Sequence, residues 1–153
     1  MLMSLTAKLS TVETLADTLA PHRAEQRSIV LCHGAFELLH LGTIRHLEQA
    51  KKMGDILVVT VAADTPSHLG ASRSSFPSFS QNMRAEALAA LSCVDYVVTN
   101  HTLSALDAIQ LVQPTIYVPS DMDPIGGEQQ ATNDEAEQAL CHRWGGRVER
   151  VVD

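Results

Sequence analysis

The sequence predicts a doubly wound α/β domain: a five-stranded parallel sheet with an extra amino-terminal helix. Three observations carry this. The apolar runs at 29–32, 56–62, 94–99 and 115–118 have the near-continuous character of strands buried on both faces. Stretches of helical period lie between them, as right-handed crossovers between parallel strands require. Turn formers fall at the joints, with Gly34, Gly54, Pro114 and the pair Gly145-Gly146 each closing a periodic segment.

Taken in order, Leu5, Leu9, Val12, Leu15 and Leu19 step by four, three, three and four, which reads as one amphipathic helix ended by Pro21. Residues 1–22 are therefore set apart from a main domain over 23–153, and their apolar face serves to cover a sheet edge or to pair two copies as a homodimer. The run 29–32 is the first strand of the sheet, followed by a turn at Gly34. His40-Leu41-Gly42-Thr43 then opens a helix on which Ile44, Leu47 and Ala50 recur. Gly54-Asp55 turns into the strand 56–62. Residues 64–79, rich in Ser, Pro and Gly, make a connection long enough to be functional. Ser80 caps a helix that runs to Leu91. The strand 94–99, a helix over 103–112 stopped before Pro114, and the strand 115–118 follow. After a polar loop, 119–131, Thr132 and Glu135 form a capping box for the last helix, which ends at Gly145-Gly146 and leads into the strand 147–151. Ligands are expected at the carboxyl ends of the strands.

Composition narrows the function classes. A chain of 153 residues, 45% hydrophobic and 19% charged, is one globular domain with a real core. Its net charge of −7 leaves no broad basic surface for duplex nucleic acid. Cys32, Cys93 and Cys141 are odd in number and form no C-x-x-C pair, which argues against a disulfide framework and a zinc site and fits reduced thiols in the cytoplasm. Lys8 and Glu13 interrupt the amino-terminal apolar residues, so neither a signal-peptide core nor a membrane span is read there. No His/Cys/Asp cluster has metal-ligand spacing.

The chemistry concentrates in residues 33–43, His-Gly-Ala-Phe-Glu-Leu-Leu-His-Leu-Gly-Thr. A strand, a glycine turn and a helix start together make an anion site, because the first amides of a helix have no internal acceptor and the macrodipole adds positive charge. Gly42 lets a phosphate approach the backbone without meeting a Cβ, and His40 stands beside it with an imidazole donor. This string resembles the G-x-F-D-x-x-H-x-G-H signature of the cytidylyltransferase-like nucleotidyltransferases. The likeness is nearest to the adenylyltransferase domains of ADP-heptose synthases, with glycerol-3-phosphate cytidylyltransferases further off. Residues 47–55, 84–91, 94–98, 114–118 and 145–148 extend it nearly to the end of the chain.

The resemblance implies transfer of AMP or CMP from ATP or CTP to a sugar phosphate or similar phosphorylated alcohol, with release of pyrophosphate. It implies catalytic roles for His40 and for the position of Thr43. Nucleotide contacts would come from His33, Gly34, Ala35, Phe36, His40, Gly42, Arg73 and Arg84, and a substrate contact from Glu37. Mg²⁺ would enter with the nucleotide. A fused carboxy-terminal domain, as in kinase-fused relatives, is implied too. The chain departs from the pattern at charged positions. Thr43 stands where the signature has its second histidine, Leu69 where a lysine precedes Gly70, and Pro119-Ser120 where a Lys-Gly pair is usual. The serine-rich triphosphate stretch does not occur before Asp153. Two functions therefore stand side by side: a working nucleotidyltransferase, or a silent nucleotide-binding or dimerisation module of a larger protein.

Overall fold

A computed structural model describes residues 5–64, 79–99, 104–119 and 128–151, with 128–134 as backbone alone. At its centre two strands lie side by side, β2 (Ile29–Gly34) and β3 (Ile56–Val61), and every residue of both is buried. That burial on two faces is why their sequences show no alternation. Around them the elements run α1 (Leu5–Lys8), β1 (Leu9–Thr11), α2 (Leu15–Ala24), β2, α3 (Leu41–Lys51), β3, α4 (Gln81–Ala89), β4 (Tyr96–Thr99), α5 (Ala105–Val112), β5 (Ile116–Tyr117), α6 (Glu128–Arg143) and β6 (Arg147–Val148). All pairings are parallel, in the order β1-β4-β3-β2-β5-β6.

The core is in two layers, one on each face of the sheet. On one face Leu47 and Ala50 of α3 and Ala85, Leu88 and Ala89 of α4 pack on Val30, Cys32, Leu57, Val59 and Val97. On the other, Leu15 and Leu19 of α2, Ala108, Ile109 and Val112 of α5, and Cys141 of α6 pack on Ile29, Leu31, Val58, Val98 and Tyr117. The doubly wound prediction holds. From β2 the chain winds outward through α3 to β3 and β4, then returns through α5 to β5 on the other side of β2. The gap above β2 and β5 is therefore the switch point at which such sheets take ligands.

The sheet has six strands among the described residues, one more than expected, and the extra one comes from the amino-terminal segment. The leucine spacing predicted one helix; instead Leu9–Thr11 pairs with Val97–Thr99 at the sheet edge, between α1 and α2. Local side-chain bonding breaks the helix. Thr14 Oγ1 accepts from the Thr11 amide at 3.1 Å and lies 3.0 Å from Ser10 Oγ, and such bonds compete with helical pairing. Pro21 does not end α2, which runs on to Ala24, with the Glu25 amide donating to the Pro21 carbonyl. The boundary drawn after residue 22 thus falls inside a helix.

Other joints differ less. Gly34 ends β2 as a paired residue, and the backbone reversal comes at Phe36, which has a left-handed φ of 52°. The strands expected at 94–99 and 147–151 are shorter, Tyr96–Thr99 and Arg147–Val148. Helix α6 starts at Glu128, so Thr132 lies inside it and is not its cap. Ser80 does cap α4, accepting from the Met83 amide at 3.3 Å. Helix α5 stops at Gln113 (φ 50°), immediately before Pro114.

Candidate nucleotide site

The site is assembled by the loop between β2 and α3. His40 is the residue before the first turn of α3, in extended conformation, and its Nδ1 accepts from the Gly42 amide at 3.1 Å. A side-chain acceptor at this position satisfies one of the helix's orphan donors. The bond also sets the neutral tautomer: with Nδ1 accepting, the proton sits on Nε2, which becomes a donor. The imidazole is exposed. The first intrahelical bond runs from the Ile44 amide to the His40 carbonyl at 3.0 Å, so the amides of residues 41–43 all precede it at the positive end of the dipole. Gly42 is exposed and gives its own amide to His40, so anion binding through that amide requires the imidazole to turn aside.

Thr43 is only 5% exposed and faces the core layer with Leu47 and Ala50. A residue at the second histidine position is thus packed inward here. His33, the residue before the end of β2, is buried, its Nδ1 lying 2.8 Å from Thr60 Oγ1 on the adjacent strand. Ala35, Phe36 and Glu37 are half-buried in the loop. The Phe36 ring folds back over Gly34, where an added Cβ would stand 3.2 Å from it, so the small residue and the left-handed turn go together.

Arg84 is the largest surprise of the site. Expected to contact the nucleotide, it is 2% exposed and its guanidinium is directed inward onto protein partners. Nη1 donates to the Ala35 carbonyl at 2.6 Å, Nη2 to Asp64 Oδ1 at 2.7 Å, and Nε to the Phe79 carbonyl at 3.1 Å. A buried cation is tolerated only with such partners. The arginine thereby joins the loop after β2 to the residues at the end of β3 and the start of α4. Sequence reasoning singled out Arg84 but missed Asp64, and no local signal marks it: the carboxylate is 20 residues away in the chain. Arg73 lies outside the described residues, as do Leu69, Gly70 and Ser120. Beneath the loop, burial pushes the Cys32 thiol up to about 12, with Cys93 adding to it, so Cys32 is a packing residue at neutral pH.

Among the described residues no group of three or more His, Cys, Asp or Glu could hold a metal ion. Nor is any described helix long and apolar enough to cross a membrane.

A doubly wound parallel sheet with a histidine-capped, glycine-bearing helix start at its switch point is the nucleotidyltransferase type of α/β fold. The sequence profile of the cytidylyltransferase-like family matches residues 31–124, and the chain belongs to that family. It is 34% identical over 147 residues to the bifunctional protein HldE of Syntrophotalea carbinolica, covering 95% of this chain and 28% of that protein. To the HldE of Helicobacter pylori it is 40% identical over 111 residues, 72% of this chain and 23% of the other. The chain thus spans 28% of the length of the first of these curated relatives. Among solved structures it is similar to a lipopolysaccharide core biosynthesis protein from Thermoplasma volcanium, with a TM-score of 0.63 and 26% identity over 83% of this chain and 98% of the other. A pantoate-beta-alanine ligase from Francisella tularensis shares the fold at a TM-score of 0.61 and 12% identity, over 94% of this chain and 66% of that one.

Proposed function

We propose that this chain transfers a nucleotidyl group, AMP or CMP, from ATP or CTP to a sugar phosphate or similar phosphorylated alcohol and releases pyrophosphate. The observation that carries this reading is His40, an exposed imidazole held at the start of α3 with Nε2 as its donor, above the switch point. Attack on the α-phosphorus spreads negative charge over the phosphoryl oxygens, and catalysis consists of positioning and charge stabilisation. His40 Nε2–H would supply one donor, and the early amides of α3 a fixed positive potential. Glu37, half-buried in the same loop, would receive the acceptor. Mg²⁺ would be carried in on the triphosphate; the carboxylate oxygens of Glu37 suit a hard cation, and the ion would supply charge neutralisation.

His33, Gly34, Ala35, Phe36 and Gly42 would shape the nucleotide pocket, and Arg73 would add a cation from the loop before α4. Arg84 serves this reading by holding the Ala35 carbonyl, whether or not it also meets the nucleotide. The free thiols of Cys32, Cys93 and Cys141 support a cytoplasmic enzyme, and the match to 28% or less of the longer HldE proteins supports a fused further domain. Pairing of two copies through the amino-terminal segment belongs to the same reading, with exposed Leu5 and Leu9 the side chains it would cover.

Thr43 favours a second reading, a silent nucleotide-binding module, because a buried threonine at the place of the signature's second histidine brings no imidazole to the transition state. One experiment separates the two. Purified full-length protein with Mg²⁺, ATP or CTP and a panel of sugar phosphates releases pyrophosphate if the first reading is right. Nucleotide binding by calorimetry without release across the panel leaves the second, and no binding at all removes both.

A further inference from the structure

Asp64 stands at the meeting point of three elements. Its Oδ1 accepts from Arg84 Nη2 at 2.7 Å, and its Oδ2 from the backbone amide of Gln81, the first residue of α4, at 3.2 Å. Gln81 returns the connection to the sheet, its Nε2 donating to the Val61 carbonyl at 2.9 Å. Through Arg84 Nη1 the link continues to the Ala35 carbonyl at 2.6 Å. That carbonyl belongs to the peptide entering Phe36, whose φ of 52° is the left-handed region that a bulky aromatic avoids. A non-glycine residue held there is strained and persists only where its surroundings over-determine it. Here the surroundings include the carboxylate–guanidinium–carbonyl chain on one side and the packing of the Phe36 ring over Gly34 on the other.

We propose that Asp64 is a positioning residue of the candidate site: acting through Arg84, it fixes the Ala35–Phe36 peptide and so the placement of Glu37 and His40 in the same loop. Its catalytic consequence rests on the nucleotidyltransferase reading; its structural one does not. A carboxylate is needed because two donors converge on it, a guanidinium and a helix-start amide. The amide of an Asp64→Asn variant has a single acceptor oxygen, so one of its ends meets a donor with a donor. The buried guanidinium, only 1% exposed, also loses its compensating charge.

Two readouts on the ligand-free and the working protein test this. In D64N, amide hydrogen exchange at residues 35–42 rises about tenfold or more while β2 and β3 stay protected, and the His40 ring nitrogen shifts move. Asp64→Glu, which keeps both acceptors, restores part of that protection. In turnover, D64N lowers kcat by about a hundredfold with the nucleotide KM changed only a few-fold, the pattern of misplaced groups and not of lost binding. Unchanged exchange at 35–42, or protection lost evenly across β2 and β3, overturns the proposal. Should the wild-type protein release no pyrophosphate, the functional reading falls while the exchange result still decides this one. If D64N does not fold, Arg84→Lys is measured instead. It keeps the charge and loses the fork, and it must loosen the same residues or the proposal fails.

Discussion

His40 Nδ1 accepts from the amide of Gly42 at 3.1 Å, and this bond assigns the histidine two separable duties. One is capping α3; the other is presenting Nε2–H above the switch point. An Asn side chain caps as well as most residues, whereas Ala does not cap at all. His40→Asn is therefore expected to keep the stability of the parent within about 0.5 kcal/mol, and His40→Ala to lose about 1 kcal/mol. Both are expected to lower pyrophosphate release by about a hundredfold or more, since each removes a donor to the reacting phosphate. Urea melts beside the release assay check it. A stable His40→Asn variant with full turnover would remove His40 from the chemistry.

Restoring the signature histidine at Thr43 is the obvious repair, and the packing predicts that it fails. Thr43 is 5% exposed on the face of α3 that carries Leu47 and Ala50. An imidazole is larger and brings two nitrogens that need partners. Thr43→His is expected to cost about 1–3 kcal/mol through overpacking and to raise pyrophosphate release by no more than about twofold. Thermal melting and the release assay measure the two effects. A tenfold gain in release would mean that the first turn of α3 can rotate to expose the position.

How far the sequence carried this structure depends on the range of the interaction. Strands such as Ile56–Val61 were legible because burial on two faces writes itself into consecutive residues. The Ser80 cap was legible because its partner is three residues away, at Met83. The strand Leu9–Thr11 was not, since its leucine spacing satisfies a helix equally well, and pairing with β4 together with the bonds to Thr14 decides. The site divides the same way. His40 and Gly42 could be placed from the string itself. The inward turn of Arg84 could not, because Ala35 lies 49 positions earlier, and Asp64 gave no sign of being its counter-ion.

Gly145 and Gly146 follow α6 as one pair but are constrained differently. At Gly146 an added Cβ would stand 2.4 Å from the Pro114 carbonyl oxygen and 3.1 Å from that of Thr115, which is backbone that cannot swing away. At Gly145 the space is open and only the φ of 76° resists a side chain. Gly146→Ala is expected to destabilise by about 1–3 kcal/mol and to loosen the β5–β6 pairing. Gly145→Ala is expected to cost about 1 kcal/mol with the pairing intact. Denaturant midpoints, with amide exchange at Arg147 and Glu149, distinguish a clash from a conformational cost. These two amides donate to the Thr115 and Tyr117 carbonyls at 3.0 Å.

At the amino-terminal end of β3, the end of the sheet away from the candidate site, Asp55 predicts an acid response. Its Oδ2 accepts from the Ser28 amide at 2.8 Å and lies 3.2 Å from Ser28 Oγ. These bonds favour the charged form and hold the carboxyl below its ordinary value of 3.8, the backbone bond contributing most and Arg27 and Lys51 adding a little. A group lowered on folding contributes stability that is complete above its unfolded value of about 4 and is lost as pH falls through the folded one. Asp55→Asn has no such titration. Its stability deficit against the parent is therefore expected to be constant from neutral pH down to about 5, and to shrink as pH falls below about 4. Urea midpoints of the two proteins at neutral pH and across the acid range provide the comparison. An offset that persists undiminished into the acid range would show that the carboxylate's charge contributes nothing and that the deficit is one of shape.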